Sequence, residues 1–480
     1  MSTASDAMLA RPCFCAGKWL HNGDPIPVRS PYDGKIVATV ARATQGDIRD
    51  ALVAASAAFA QTRRMPAHER QRVLQNIHRY VSDRHEEFAQ TICLEAGKPI
   101  KTARAEVDRA LFTVQIAAEE TTRIYGEYLP LELQAFATGR WGLVRRFPLG
   151  PIAAITPFNF PLNLVCHKLA PSIAAGCTMI LKPASQTPLS ALLLAQAVEH
   201  SGWPLGALSV LPMANSDAGL LVEDDTTKLL TFTGSAEVGW KLKARAGKKR
   251  VTLELGGNAG CIIHSDTDVA HAAARCVTGA FSYAGQSCIS VQRILVEHSV
   301  FDHFLAEFIP AVQKLRVGDP KDEATDVGPM IRESDAHRAD EWIAEAVKRG
   351  ARLLCGGQRT GSVLQPTVLT GTLPSERVNC AEIFAPVVTV EPYATFDDAL
   401  AQVNNSTYGL QAGVFTNDAR LIFRAYEQLE VGGVIVGDVP TFRIDHMPYG
   451  GVKDSGMGRE GVRFAIQEMT EEKLLVMNVQ

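Results

Sequence analysis

Apolar and polar positions change rhythm twice along this chain, and those changes divide it. Residues 12–40 hold short apolar runs, such as Lys35-Ile36-Val37-Ala38-Thr39-Val40, between Pro, Gly and Asp turn signals, which predicts a small β-rich entry. Residues 44–122 alternate Ala-rich and charged stretches at helical spacing, with Pro66 and Gly97-Lys98-Pro99 as the main breakers. From about residue 150, short apolar runs alternate with helix-period segments. Ile152–Ile155, Thr178–Leu181, Leu208–Leu211, Lys228–Phe232 and Val251–Leu255 read as strands, with helices such as Leu189–Ser201 between them. This alternation predicts a parallel sheet wound by helices. A second run follows residue 260, with Cys261–His264 as a strand and Val269–Tyr283 as an Ala-rich helix, so two α/β halves are expected. Segments 123–141 and 462–480 fit neither half, and no internal repeat is present.

Composition removes several function classes. A chain of 480 residues suits two or three domains, and 46% hydrophobic with 21% charged residues is ordinary for a globular protein. The net charge of −4 gives no basic excess for nucleic acid or an anionic membrane surface. No apolar run reaches the roughly 18 residues of a membrane helix. Met1–Arg11 lacks the cationic start and apolar core of a signal peptide. Ten scattered cysteines read as free thiols in a reducing cytoplasm. Cys13-Phe14-Cys15 has no second Cys or His pair nearby and reads as a surface loop rather than a metal site. With no H-E-x-x-H motif either, no metal is expected.

Five stretches carry candidate chemistry. Gly456-Met457-Gly458-Arg459-Glu460-Gly461 matches G-x-G-x-x-G, but a polar turn precedes it where a dinucleotide fingerprint needs a strand. Phe232-Thr233-Gly234-Ser235-Ala236-Glu237-Val238-Gly239 follows a strand and opens a helix. It suits a phosphate at the helix start, with Ser235 as an extra donor, and equally an ordinary strand–turn–helix. Cys288 lies in Gly285-Gln286-Ser287-Cys288-Ile289-Ser290, where a stabilised thiolate is a nucleophile and an unstabilised one is an inert thiol. Glu254 ends an apolar strand in Leu253-Glu254-Leu255-Gly256-Gly257-Asn258, a costly place for a carboxylate unless it is used or paired. Asn159 sits in Pro157-Phe158-Asn159-Phe160-Pro161, as a fixed amide donor or as a turn residue.

Together these stretches resemble the aldehyde dehydrogenase superfamily. PFNFP at 157–161, LKPAS at 181–185, FTGSAEVG at 232–239, LELGGN at 253–258, GQSC at 285–288, EIFAPV at 382–387 and YGGVKDSGMGRE at 449–460 occur in family order over essentially the whole chain. The resemblance implies an α/β fold with a Rossmann-type cofactor domain (1–122 and 142–252), a catalytic domain (253–461) and a small β-ribbon for oligomerisation (123–141 and 462–480). It implies Cys288 as nucleophile and Glu254 as the base that activates water. The Asn159 amide and the Cys288 backbone N–H become an oxyanion hole, and Lys168 and Glu460 match positions linked to proton relay. Around an NADP or NAD cofactor it places Lys182 at the adenosine ribose, Ser235 at the pyrophosphate and Glu382 at the nicotinamide ribose. Thr156, Pro157, Phe158, Ala184, Ser185, Gly219, Thr233, Gly234, Val238, Leu255, Gly256 and Phe384 complete that surface.

In relatives that prefer NAD, the position of Ser185 is often Glu, whose carboxylate repels a 2′-phosphate. Ser185 removes that repulsion and Lys182 supplies a nearby cation, so NADP is expected to be accepted. The sequence looks closest to the branch of lactaldehyde, non-phosphorylating glyceraldehyde-3-phosphate and phosphonate-aldehyde dehydrogenases. Phosphate-handling members use three arginines. Arg109 and Arg443 match two, while the third position, immediately before the nucleophile, is Ser287. With Ile289, these residues predict a pocket for a short hydroxylated or carboxylated aldehyde, two guanidiniums sufficing for one anion. The alternative for Arg109 and Arg443 is a structural ion pair. Relatives that transfer the acyl group to coenzyme A generally lack the carboxylate of Glu254, so hydrolysis to the free acid is expected. An acyl-transferring enzyme and a non-catalytic relative are the alternatives. The expected partners are a small aldehyde and further copies of the chain, as a homodimer or homotetramer.

Overall fold

The computed structural model describes residues 10–479, so most of the N-terminal stretch tested for a signal peptide, and residue 480, lie outside the described residues. The helical region resolves into Gln45–Thr62, Ala67–Asp83, His85–Ala96 and Ile100–Glu120, interrupted near Pro66 and at Gly97-Lys98-Pro99 as the breakers require. Thr44 caps the first helix through a reciprocal bond with Asp47.

The first sheet has eight strands. Its five central members run in the order Leu208–Val210, Met179–Lys182, Ile152–Ile155, Leu229–Thr233, Arg250–Glu254, and all are parallel. Two neighbours in this order, Ile152–Ile155 and Leu229–Thr233, send their following helices to opposite sides. That makes a crevice at their carboxyl ends, the usual ligand position in wound α/β sheets. The expected strands are present with ends shifted by one or two residues. The second sheet has seven strands, with Ala259–Ile263 between Val291–Glu297 and Gln411–Phe415.

Two expectations need correction. Cys13–Cys15 is a buried strand rather than a surface loop. It pairs with Lys18–Leu20 and, through Phe14, with Val210, and both its faces are covered, Cys13 and Cys15 entering one core and Phe14 another. Of 462–480, only Thr470–Asn478 joins the three-stranded ribbon. Val462–Glu468 is a helix that buries Val462, Ala465 and Ile466, with Val462 and Ile466 in the same core as the helices Ile100–Glu120 and Asn163–Ala175. The middle ribbon strand, Arg140–Pro148, also runs past residue 141.

A buried ion pair ties the helical region to the first sheet. Lys98 Nζ bonds the Glu106 carboxylate and the Asn159 carbonyl oxygen, the latter at 2.8 Å. It lies 3.8 Å from the Phe160 ring centre and 4.4 Å from that of Tyr283. The other Glu106 oxygen accepts from the Leu162 and Asn163 N–H groups at 3.0 and 3.2 Å. A carboxylate from one helix thereby caps the open start of Asn163–Ala175. Breaking a buried pair from one side leaves a stranded charge. Glu106→Ala is expected to cost about 3–5 kcal/mol in denaturant-induced unfolding. Glu472→Ala, at the exposed Arg146–Glu472 pair, is expected to have a far smaller effect.

Candidate active site

A cavity of about 390 Å³ opens where the two sheets meet. Its wall includes Pro157, Phe158 and Asn159 after strand Ile152–Ile155; Thr233, Gly234 and Ser235 after Leu229–Thr233; and Glu254, Leu255 and Gly256 at the end of Arg250–Glu254. The second half contributes Ser287, Cys288, Ile289, Glu382, Phe384, Arg443, Tyr449 and Glu460, and the helix Ile100–Glu120 contributes Arg109. Residues separated by up to 351 positions in the chain therefore face one space.

The loop carrying Cys288 is held by backbone constraint. The helix expected over Val269–Tyr283 stops at Phe281, because Tyr283, Ala284 and Gly285 all take left-handed φ of 49°, 52° and 67°. Such strain persists only where the surroundings over-determine it. Here the Tyr283 hydroxyl donates to the Ala96 carbonyl at 2.9 Å. The buried Gln286 donates to the Tyr283 and Pro329 carbonyls and accepts from the Ile331 N–H at 2.8 Å. Gly257 has no side chain to keep the Cys288 carbonyl away; a Cβ there would meet that oxygen at 2.2 Å.

Glu254 is 3% exposed, and neither carboxylate oxygen has a hydrogen-bond partner. Burial raises it well above the usual carboxylate range, the nearby Glu460 charge adds to the shift, and Arg443 and Lys168 oppose it. Glu460 behaves oppositely. Lys168 Nζ reaches one oxygen at 3.1 Å and Arg443 Nη2 donates to the other at 3.2 Å; these cations hold it at about 2 against its burial. Lys168 lies behind the wall and also bonds Thr231 at 2.9 Å. Asn159 donates its amide to the Gln286 carbonyl at 3.0 Å and leaves its own oxygen unpartnered.

Burial pushes the Cys288 thiol up to about 11. Its sulfur lies 2.9 Å from the Tyr449 hydroxyl, and the Arg443 guanidinium carbon sits 3.6 Å from the centre of the Tyr449 ring. Tyr449 opens the YGGVKDSGMGRE stretch, and nothing beside it in the sequence marks it as polar-site chemistry, because an aromatic ring next to glycines looks like core. Asp445 was also missed. It accepts from both sides of the Arg109 fork at 2.7 and 3.0 Å, from Asn163 at 3.1 Å and from His167 at 2.8 Å, and these bonds hold it far below the usual carboxylate range. Arg109 and Arg443 thus face the cavity while already paired, although Arg443 Nε has no hydrogen-bond partner.

The remaining predicted residues lie outside that wall, Thr156, Lys182, Ala184, Ser185 and Val238 at or after the carboxyl ends of first-sheet strands and Gly219 in the helix Ala218–Glu223. Thr156 N–H donates to the Lys182 carbonyl. Lys182 is buried, its ammonium meets no carboxylate among the described residues, and burial lowers it to about 8. Ala184 and Ser185 are half-buried and Val238 is exposed. Gly219 is covered by the Arg245 guanidinium, which bonds Glu223.

The residues fit a dinucleotide on three counts. The helix Ala236–Arg245 begins at Ser235 with no side-chain cap bond, leaving N–H groups for a phosphate. Lys182 is an unpaired cation. Glu382, bonded by the Gly257 N–H at 3.0 Å, lies against Gly256, where a Cβ would crowd its carboxylate.

The Aldehyde dehydrogenase family model matches residues 19–475, and this chain belongs to that family. It is 43% identical over 467 residues to a 3-sulfolactaldehyde dehydrogenase of Priestia aryabhattai, covering 97% of this chain and 98% of the relative. A solved structure of aldehyde dehydrogenase 21 from Physcomitrella patens, in complex with the reaction product succinate, shares 47% identity and a TM-score of 0.96 over 98% of each chain. A glyceraldehyde-3-phosphate dehydrogenase from Methanocaldococcus jannaschii, complexed with NADP, shares 35% identity and a TM-score of 0.92 over 96% of this chain and all of that one.

Burial pushes the Glu382 carboxyl up to about 7 from an ordinary 4.5. Its contribution to stability is full below 4.5 and is lost as pH rises toward 7, because the unfolded chain releases the proton first. Glu382→Gln cannot ionise. Chemical denaturation is expected to show it more stable than the parent at pH 8, by on the order of 1 kcal/mol, and not at pH 4.

Proposed function

We propose that this protein oxidises a short hydroxylated or anionic aldehyde to its carboxylic acid, using NADP or NAD, through a thioester on Cys288. The observation that carries the reading is the meeting of Cys288, Asn159 and an unpartnered Glu254 in one cavity. Ser235, Lys182 and Glu382 would hold the dinucleotide. When bound, it takes up the hydride that leaves the aldehyde carbon.

The chain's own groups carry the other steps. The Cys288 thiolate adds to the carbonyl carbon and gives a tetrahedral oxyanion. The Asn159 side-chain amide, on a backbone whose carbonyl oxygen Lys98 holds, has one N–H bonded to the Gln286 carbonyl and a second for that charge. Removing a donor of this kind typically costs about 10²–10³ in rate. Loss of hydride re-forms the C=O bond as a thioester. Glu254 then takes a proton from water as it attacks, the C–S bond breaks, and the acid leaves. A carboxylate raised by burial suits this work near neutral pH. Glu460 and Lys168 continue behind Glu254 as the route by which its proton leaves.

The two arginines favour an acidic or hydroxylated group on the substrate, in keeping with the 3-sulfolactaldehyde and succinate that the relatives' names carry. Their pairing with Asp445 and Glu460 favours a second reading, in which they are structural. For assembly, Thr470–Asn478 leaves one ribbon edge unpaired with Leu474, Leu475 and Val476 about half exposed, which fits a homodimer or homotetramer. Unpaired cysteines throughout the described residues fit a reducing cytoplasm.

Cofactor reduction should appear with short aldehydes carrying an acidic or hydroxyl group, with either cofactor and without stimulation by coenzyme A. Cys288→Ser should abolish it; strict use of NAD would remove the inference drawn from Ser185. Arg109→Ala should raise KM for an acidic aldehyde about 10- to 100-fold and leave that for a neutral aldehyde of equal length almost unchanged. Equal KM changes for both would assign Arg109 to structure alone.

A further inference from the structure

A phenol hydroxyl that none of the proposed steps uses lies within hydrogen-bond distance of the Cys288 sulfur. Tyr449 is 3% exposed, and its oxygen sits 2.9 Å from Cys288 Sγ. Three constraints fix it there. Its backbone forms a bridge with Glu460, with N–H to carbonyl distances of 3.1 and 2.6 Å in the two directions. Its ring packs with Ile289 and Leu410. The Arg443 guanidinium covers one ring face at 3.6 Å. Burial keeps the proton on this phenol, and the Arg443 cation over its π-face, which pulls the other way, makes the O–H a stronger donor.

We propose that the Tyr449 hydroxyl donates a hydrogen bond to the Cys288 sulfur and stabilises its thiolate, both before the aldehyde binds and again when the thioester breaks. This role rests on the reading of Cys288 as the nucleophile. A sulfur buried beside Glu254 and Glu382 needs such help, because desolvation and both carboxylates oppose its charge. The groups on the stabilising side are Tyr449 and Arg443. Arg109 and Arg338 line the same cavity, and Glu460 is neutralised by Lys168 and Arg443. Within the thiohemiacetal and thioester the sulfur carries little charge, so the bond is strongest in the thiolate states. It therefore acts on attack and on departure rather than on substrate binding.

The test is the pH dependence of Cys288 alkylation by iodoacetamide in the intact protein and in Tyr449→Phe. The Cys288 peptide is followed by mass spectrometry so that Cys355 and Cys380, which are also accessible, do not contribute. Phenylalanine keeps the ring packing, and an unchanged melting temperature shows that the fold is retained. The alkylation midpoint should rise by about one unit, so that below it the rate falls about tenfold at any given pH. An unchanged midpoint overturns the proposal. A lowered one overturns it as well, because it shows the thiol donating to the phenol oxygen. If aldehyde oxidation survives in Cys288→Ser, the nucleophile reading fails instead. If Cys288→Ser is inactive and the Tyr449→Phe midpoint does not move, only the role of Tyr449 fails.

Discussion

Burying a carboxyl group with no hydrogen bond to either oxygen is costly, and Glu254 is held in that state in the cavity wall. Glu254 is carried to the crevice by the last residue of a parallel strand, where its backbone is fully paired and only its side chain is unsatisfied. The neighbouring acid, Glu460, is treated in the opposite way, with a cation on each oxygen. One carboxyl therefore holds its proton readily while the other stays ionised, the separation expected of a pair with different chemical tasks.

The second constraint is steric. Cys288 comes beside the end of strand Arg250–Glu254 because Gly257 lets its carbonyl approach, and the Glu382 carboxylate lies equally close over Gly256. The chain reaches that position through left-handed residues at 283–285, and the tyrosine among them is anchored to Ala96. Lys98 fixes the opposite wall by holding the Asn159 carbonyl. Cys288 and Asn159 thus sit on loops braced by buried charge and packing, and Glu254 at the end of a strand.

The wound sheets were legible in the chain because their strands are short apolar runs with helix-period segments between them. The residues that meet in the cavity were legible where a motif couples glycines to a polar side chain, as in LELGGN and GQSC. Cys13–Cys15 was misread because a three-residue strand is too short to show a period. Val462–Glu468 was misread because a two-turn helix at a domain boundary gains its stability from the core it covers. The ion pair of Lys98 with Glu106, and the gathering of four donors on Asp445, could not be read at all. Both join residues whose proximity exists only after folding.

The central claim is a covalent acyl group on one sulfur. Glu254→Gln, mixed with cofactor and an accepted aldehyde and then analysed by intact-protein and peptide mass spectrometry, tests it most directly. The account predicts that an adduct of the acyl mass accumulates on the Cys288 peptide while release of the acid stalls. Continued turnover with no adduct on Cys288, or an adduct on a different residue, would contradict it.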